Sequence, residues 1–64
     1  MKRYYVAYLE FENSEIQTRE ITVEDSVCVN QVVIKEELEK LYTNIYSELG
    51  MSNVKQVISW SKIE

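Results

Sequence analysis

The chain has 64 residues, eleven Asp and Glu against seven Lys and Arg for a net charge of −4, one cysteine, one glycine, and neither histidine nor proline. That composition excludes an intramolecular disulfide, a tetrahedral zinc site of the Cys/His kind and any catalytic arrangement built on histidine. It also argues against phosphate-backbone binding, which relies on clustered Lys and Arg.

The first apolar stretch runs from Lys2 to Glu12 and is rich in Tyr, Val and Phe, which suits a strand. Read with period two, Tyr5, Ala7, Leu9 and Phe11 fall on one face and Tyr4, Val6 and Tyr8 on the other, so both faces are apolar. Asn13 and Ser14 are turn-type residues, and Glu15 to Val23 resumes as a second strand carrying Ile16, Ile21 and Val23, which predicts a β-hairpin. Glu24, Asp25 and Ser26 interrupt the pattern before Val27, Cys28 and Val29, a stretch that reads as either a ragged strand extension or an ordered loop.

From Gln31 to Leu49 the period changes to that of a helix, with Ile34, Leu38, Leu41, Tyr42, Ile45 and Leu49 as its apolar stripe. Asn30 suits the N-cap, and Gly50 suits the left-handed position that closes a helix, with Met51 covering the last turn. Lys35, Glu36, Glu39, Lys40 and Glu48 form a solvated side that needs no function. Asn53 to Ile63 reads as a third strand, with Val54, Ile58 and Trp60 sharing one parity and Val57 and Ile63 the other.

A hairpin, a helix and a last strand predict a single small α+β domain over residues 1–64. Its topology is β-β-α-β: a three-stranded antiparallel sheet in the order 2-1-3 with one helix packed on one face. On the covered face this reading places Tyr5, Ala7, Leu9, Phe11, Ile21 and Val23 against Ile34, Leu38, Leu41, Ile45 and Leu49. The open face then carries Tyr4, Val6 and Tyr8 in a row, with Ile16 and Val57 beside them, and these five residues are the candidate interaction surface. A plainer reading is that tyrosines tolerate water at the hydroxyl and that long polar side chains cover their rings. Trp60 has two positions open to it: beside Ala7 on the covered face if the strand is regular, or turned toward Tyr4 and Tyr8 if a bulge near Ser59 shifts the register.

A domain this small hides only about 60% of the surface its unfolded chain exposes, so a second subunit is the one stabilising device its composition leaves open. No Gly-rich phosphate loop is present, and carboxylates such as Glu10 with Glu12, or Glu36 with Glu39, are at spacings common on surfaces. Cys28 reads as a small semi-buried hydrophobe. The expectation is therefore a non-enzymatic protein–protein interaction module without cofactor, metal or catalytic residues. It would bind a protein partner, or a second copy of itself to form a homodimer, with no direct nucleic-acid or membrane binding. An acidic inhibitor that mimics nucleic acid is the alternative from a different class. No apolar run approaches the roughly 20 residues that span a bilayer, and the free thiol favours the cytoplasm.

Two stretches carry a resemblance: MKRYYVAYLEF, a Lys-rich start leading into a Tyr/Val strand, and NVKQVISWSKIE, a short final strand after a helix that ends in an aromatic and an acid. In these the chain resembles a group of very small proteins encoded by bacteriophages and prophages of Gram-positive bacteria, over most of its length. The resemblance implies a phage or prophage origin, an accessory role, a host or phage protein as the partner and a host cytoplasm as the location, with an anti-defence or anti-restriction inhibitor or a small structural component of a phage assembly as the alternatives, and it supplies no site residues. The chain departs from that pattern at Glu24 to Val29, where a proline or glycine would be expected.

Overall fold

In the computed structural model, which describes residues 1–63, the Tyr/Val stretch forms β1 (Lys2–Glu10) and returns as β2 (Asn13–Val23). The turn is Phe11-Glu12, two residues earlier than the polar Asn13-Ser14 pair suggests, because Asn13 serves as the first residue of β2 and its Oδ1 accepts the Glu15 N–H at 2.9 Å. Neither turn residue has a positive φ, so the turn is not one of the mirror-image types that match strand twist. The ladder slips just beyond it, where Leu9 alone stands opposite Ser14, Glu15 and Ile16.

After an ordered loop over residues 24–30, α1 (Gln31–Glu39) begins at Asn30, whose side chain accepts the Val33 N–H at 3.0 Å. The apolar stripe continues to Leu49, but the helix does not. The Leu41 N–H donates to the Leu38 carbonyl and the Tyr42 N–H to the Glu39 carbonyl, and these short-range bonds wind down the helix end. Asn44 then caps a separate turn, α2 (Ile45–Glu48), by accepting the Ser47 N–H at 3.1 Å. An Asn inside a helix competes with the backbone for such bonds, which is the local reason for the break. Gly50 closes this turn at φ 73°, with its own N–H on the Ser47 carbonyl and that of Met51 on the Tyr46 carbonyl, the paired bonds of a Schellman end.

The last segment, β3 (Val54–Lys62), pairs with β1 on the side away from β2, so the sheet is antiparallel in the order β2-β1-β3. This is the expected α+β arrangement, with a helix across one face of the sheet and the other face open. The covered face, however, is the one that carries Tyr4, Val6 and Tyr8. These pack with Ile21, Val23, Val54 and Val57 against Ile34 and Leu38 of α1. The cause is parity. A two-residue turn pairs even positions of β1 with odd positions of β2, so Tyr4 stands opposite Ile21 and Lys2 opposite Val23, while Tyr5 and Ala7 stand opposite Glu20 and Thr18. The helix covers the face on which both strands are apolar. Phe11, Leu41, Ile45 and Leu49, expected in the core, are exposed, as is Cys28.

β3 reaches this face by an unusual route. Val54, Val57 and Trp60 stand opposite Glu10, Tyr8 and Val6, three residues of β3 for every two of β1, because Lys55 and Ile58 are each extra at a bulge. Trp60 therefore lies on the helix-covered face, beside Val6 and at the sheet edge, where it keeps 37% of its surface exposed; Ser59 takes the place opposite Ala7. Glu64, the acid at the end of NVKQVISWSKIE, lies outside the described residues. Among the described residues, no helix is long and apolar enough to cross a membrane.

The break between α1 and α2 separates two positions that one continuous stripe would make equivalent. Leu38→Ala, at a fully buried site, should lower stability by about 2–5 kcal/mol, whereas Ile45→Ala, at a site 63% exposed, should change it by less than about 1 kcal/mol. Urea unfolding of both variants checks this, and equal losses would contradict the broken helix.

Candidate functional site

Of the five residues expected on the open face, Tyr4, Val6, Tyr8 and Val57 are core residues beneath the helix, and Ile16 alone is exposed. The open face belongs instead to the odd positions of β1, where Tyr5 is 49% exposed and Ala7 and Leu9 are half-buried. Ile16 keeps the parity of Thr18, which pairs with Ala7, and so stands on this face. Ile58, the extra residue between covered Val57 and Ser59 of the open face, is 45% exposed. Ile63, whose N–H donates to the Arg3 carbonyl at 2.8 Å, completes an apolar set across the sheet. The charged residues that β1 and β2 place here, Arg3 and Glu20, are of opposite sign.

A second constellation sits at the end of the sheet where the hairpin turns. The Glu39 carboxylate accepts the backbone N–H groups of Asn53 and Val54 at 3.0 Å, the Asn53 side-chain amide at 3.2 Å and the Ser52 hydroxyl. Burial pushes the Glu39 carboxyl up, but these bonds together outweigh it and hold it below the ordinary carboxylate range. Asn53 is itself buried and spends the rest of its capacity on neighbours. Its amide donates to Ser47 Oγ at 3.1 Å, its Oδ1 accepts from Asn44 Nδ2 at 2.7 Å, and its carbonyl accepts the Phe11 N–H at 3.1 Å. One asparagine thus ties the hairpin turn, α2 and β3 together, and Glu39 ties that node to α1. The helical pattern assigns Glu39 to the solvated side; the overlooked signal is Ser52-Asn53, a polar pair directly before a strand whose first amides need an acceptor.

No protein-family model, curated protein or solved structure matches this chain.

Beside this node, between the hairpin turn and α2, lies a groove of about 500 Å³ walled by Phe11, Tyr42, Tyr46 and Met51, with Glu10 and Glu12 at its rim and Asn44, Ser52 and Asn53 at its polar end. The Tyr42 hydroxyl donates to Glu10 and stands 3.2 Å from the Tyr8 hydroxyl. Because Tyr42 has one proton and gives it to Glu10, the second bond runs from Tyr8 to Tyr42. Burial, then the bonds to Glu10 and Tyr8, hold the Tyr42 phenol well above its ordinary range, so it stays protonated at neutral pH. The Tyr46 hydroxyl donates to Glu12 at 3.2 Å. Tyr8, 2% exposed, thereby satisfies its buried hydroxyl, and the core is wired to the groove.

Removing the Glu39 carboxylate leaves the buried Val54 amide without its acceptor, so Glu39→Ala should lower stability by about 1–3 kcal/mol. The pH dependence has a definite sign. Since the folded pKa lies below the unfolded value of about 4.3, the charge of Glu39 stabilises fully above that value and its contribution fades as pH falls through the folded pKa. The stability gap between the wild type and Glu39→Gln, read from urea midpoints, should narrow from pH 7 toward pH 3; a constant gap would show that charge at Glu39 plays no part.

Proposed function

We propose that this chain is a non-enzymatic protein–protein interaction module that pairs with a second copy of itself through the open sheet face. The observation that carries this reading is the exposure of Tyr5, Ile16, Ile58 and Ile63 on a face with no helix of its own. Scattered exposed apolar residues are ordinary, but a set gathered on one face of one sheet marks an interaction surface.

Dimensions support a second copy as the occupant. The molecule measures 31 × 23 × 15 Å, so its two longer axes span a rectangle of about 700 Å², of the same order as the roughly 800 Å² per partner of a standard interface. Two such sheets stacked about 10 Å apart form four layers, helix, sheet, sheet and helix, with both apolar faces interior. The small core supplies a motive, since Ile34 and Leu38 are the only fully buried residues of α1 and association adds stability by mass action. The exposed residues that define this face, Tyr5, Ile16, Ile58 and Ile63, are all uncharged, so apolar contact should dominate over charge. The exposed free thiol of Cys28 suits a reducing cytoplasm. A phage or prophage setting rests on the resemblance in MKRYYVAYLEF and NVKQVISWSKIE.

Solution mass across a dilution series tests the reading. The wild type should pass from dimer to monomer on dilution with little effect of added salt, and Tyr5→Glu combined with Ile58→Glu should remain a monomer at concentrations where the wild type is dimeric. A wild type that stays monomeric at millimolar concentration would overturn the proposal. A self-association that collapses with moderate salt would favour a charge-driven contact instead.

A further inference from the structure

We infer that the groove between the hairpin turn and α2 binds an alkylammonium group, the side chain of a lysine presented by a partner polypeptide. The site shares no residue with the open sheet face, so it stands or falls independently of self-association.

Three aromatic rings, those of Phe11, Tyr42 and Tyr46, line one cavity with the Met51 side chain and with two carboxylates, Glu10 and Glu12, at its rim. Among the described residues no Lys or Arg lines it. Among the described residues neither carboxylate belongs to an ion pair. Their partners are phenols: Tyr42 donates to Glu10 and Tyr46 to Glu12. A neutral donor fixes the direction of a carboxylate without cancelling its charge, and the Tyr42 phenol is held firmly in its protonated form. The groove therefore presents two oriented negative charges to whatever enters.

An anion is repelled by this arrangement, and a purely apolar ligand would strip water from the rim carboxylates without replacing it. An alkylammonium satisfies both halves of the site. Its methylene stem fits against Phe11 and Met51, which are exposed in the free protein, while its head meets the carboxylates and the negative faces of the aromatic rings. The volume, about 500 Å³, lies within the range of sites that enclose a small molecule or a single long side chain. The walls are also well positioned. Tyr42 is anchored to buried Tyr8, and the polar end is built from Asn53, the node that joins the hairpin turn, α2 and β3. Rigid walls of this kind lower the ordering cost of binding.

An NMR titration of the full chain with N-acetyl-lysine methylamide tests the assignment, with the norleucine analogue, which lacks only the ammonium, as the neutral control and n-butylammonium as the free amine. The lysine derivative should shift the resonances of Phe11, Tyr46 and Met51 saturably at millimolar concentration, and the norleucine analogue should not. Glu12→Gln and Phe11→Ala alter exposed positions and should each weaken binding about five-fold while leaving the urea midpoint unchanged. Equal binding of lysine and norleucine derivatives would reduce the groove to an apolar surface, and absence of shifts at tens of millimolar would remove it as a site; either result overturns the inference. Tighter binding of n-butylammonium than of the lysine derivative would also overturn it, because the polypeptide backbone would then be an obstacle.

Discussion

The pairing of Tyr4 with Ile21 is the constraint on which the rest of the molecule depends. Once β1 turns at Phe11-Glu12, even positions of β1 stand opposite odd positions of β2, and Ile21 and Val23 meet the side of β1 that carries Tyr4, Val6 and Tyr8. The helix covers that side because only there are both strands apolar. Placing two tyrosines in a core this small carries a condition. The buried hydroxyl of Tyr8 needs a partner, and Tyr42 supplies it from just beyond the end of α1 while donating its own proton to Glu10. Continuing α1 as one helix is thereby set against a hydrogen-bonded chain that reaches from the core to the rim of the groove.

The third strand solves a related problem at the sheet edge. Its apolar residues Val54, Val57 and Trp60 recur every three positions, and only bulges at Lys55 and Ile58 allow all three to face the helix. The same bulges break the regularity of an exposed edge, which discourages pairing with another strand. Glu39 and Asn53 then fix where this irregular strand begins, since the first two amides of the segment point at one carboxylate. Packing, strand register and a buried polar node thus converge on the hairpin end of the molecule.

The two surfaces left over differ in kind. The open sheet face is apolar, and its exposed residues Tyr5, Ile16 and Ile58 come from all three strands. The groove is narrow, aromatic and acidic, and depends on α2, the element that the break after Glu39 creates. A face of the first kind suits a flat partner such as a second sheet. A groove of the second kind suits a single projecting side chain.

Much of the fold was legible in the residues themselves. Period two marked the strands, Asn30 marked the start of the helix, Gly50 marked the end of the helical region, and the succession of elements led to the 2-1-3 sheet, because backbone periodicity and capping are local properties. The choice of sheet face was also within reach, since a two-residue turn fixes parity, yet both faces of β1 are apolar and that strand taken alone does not tell which of them the helix covers. Tertiary structure alone decided the rest. Helical period continues through Leu41, Ile45 and Leu49; Asn44 gives a local reason for a second cap, but nothing local shows that Tyr42 must serve Tyr8. Bulges at Lys55 and Ile58 place Trp60 on the covered face with Val57, whereas a regular strand would have put the two on opposite faces. The groove arises only when Phe11 and Met51, forty residues apart in the chain, are brought together. Sequence determines which segments form because the signals lie within a few residues, whereas the identity of each surface depends on register and contact between segments, which only the folded chain supplies.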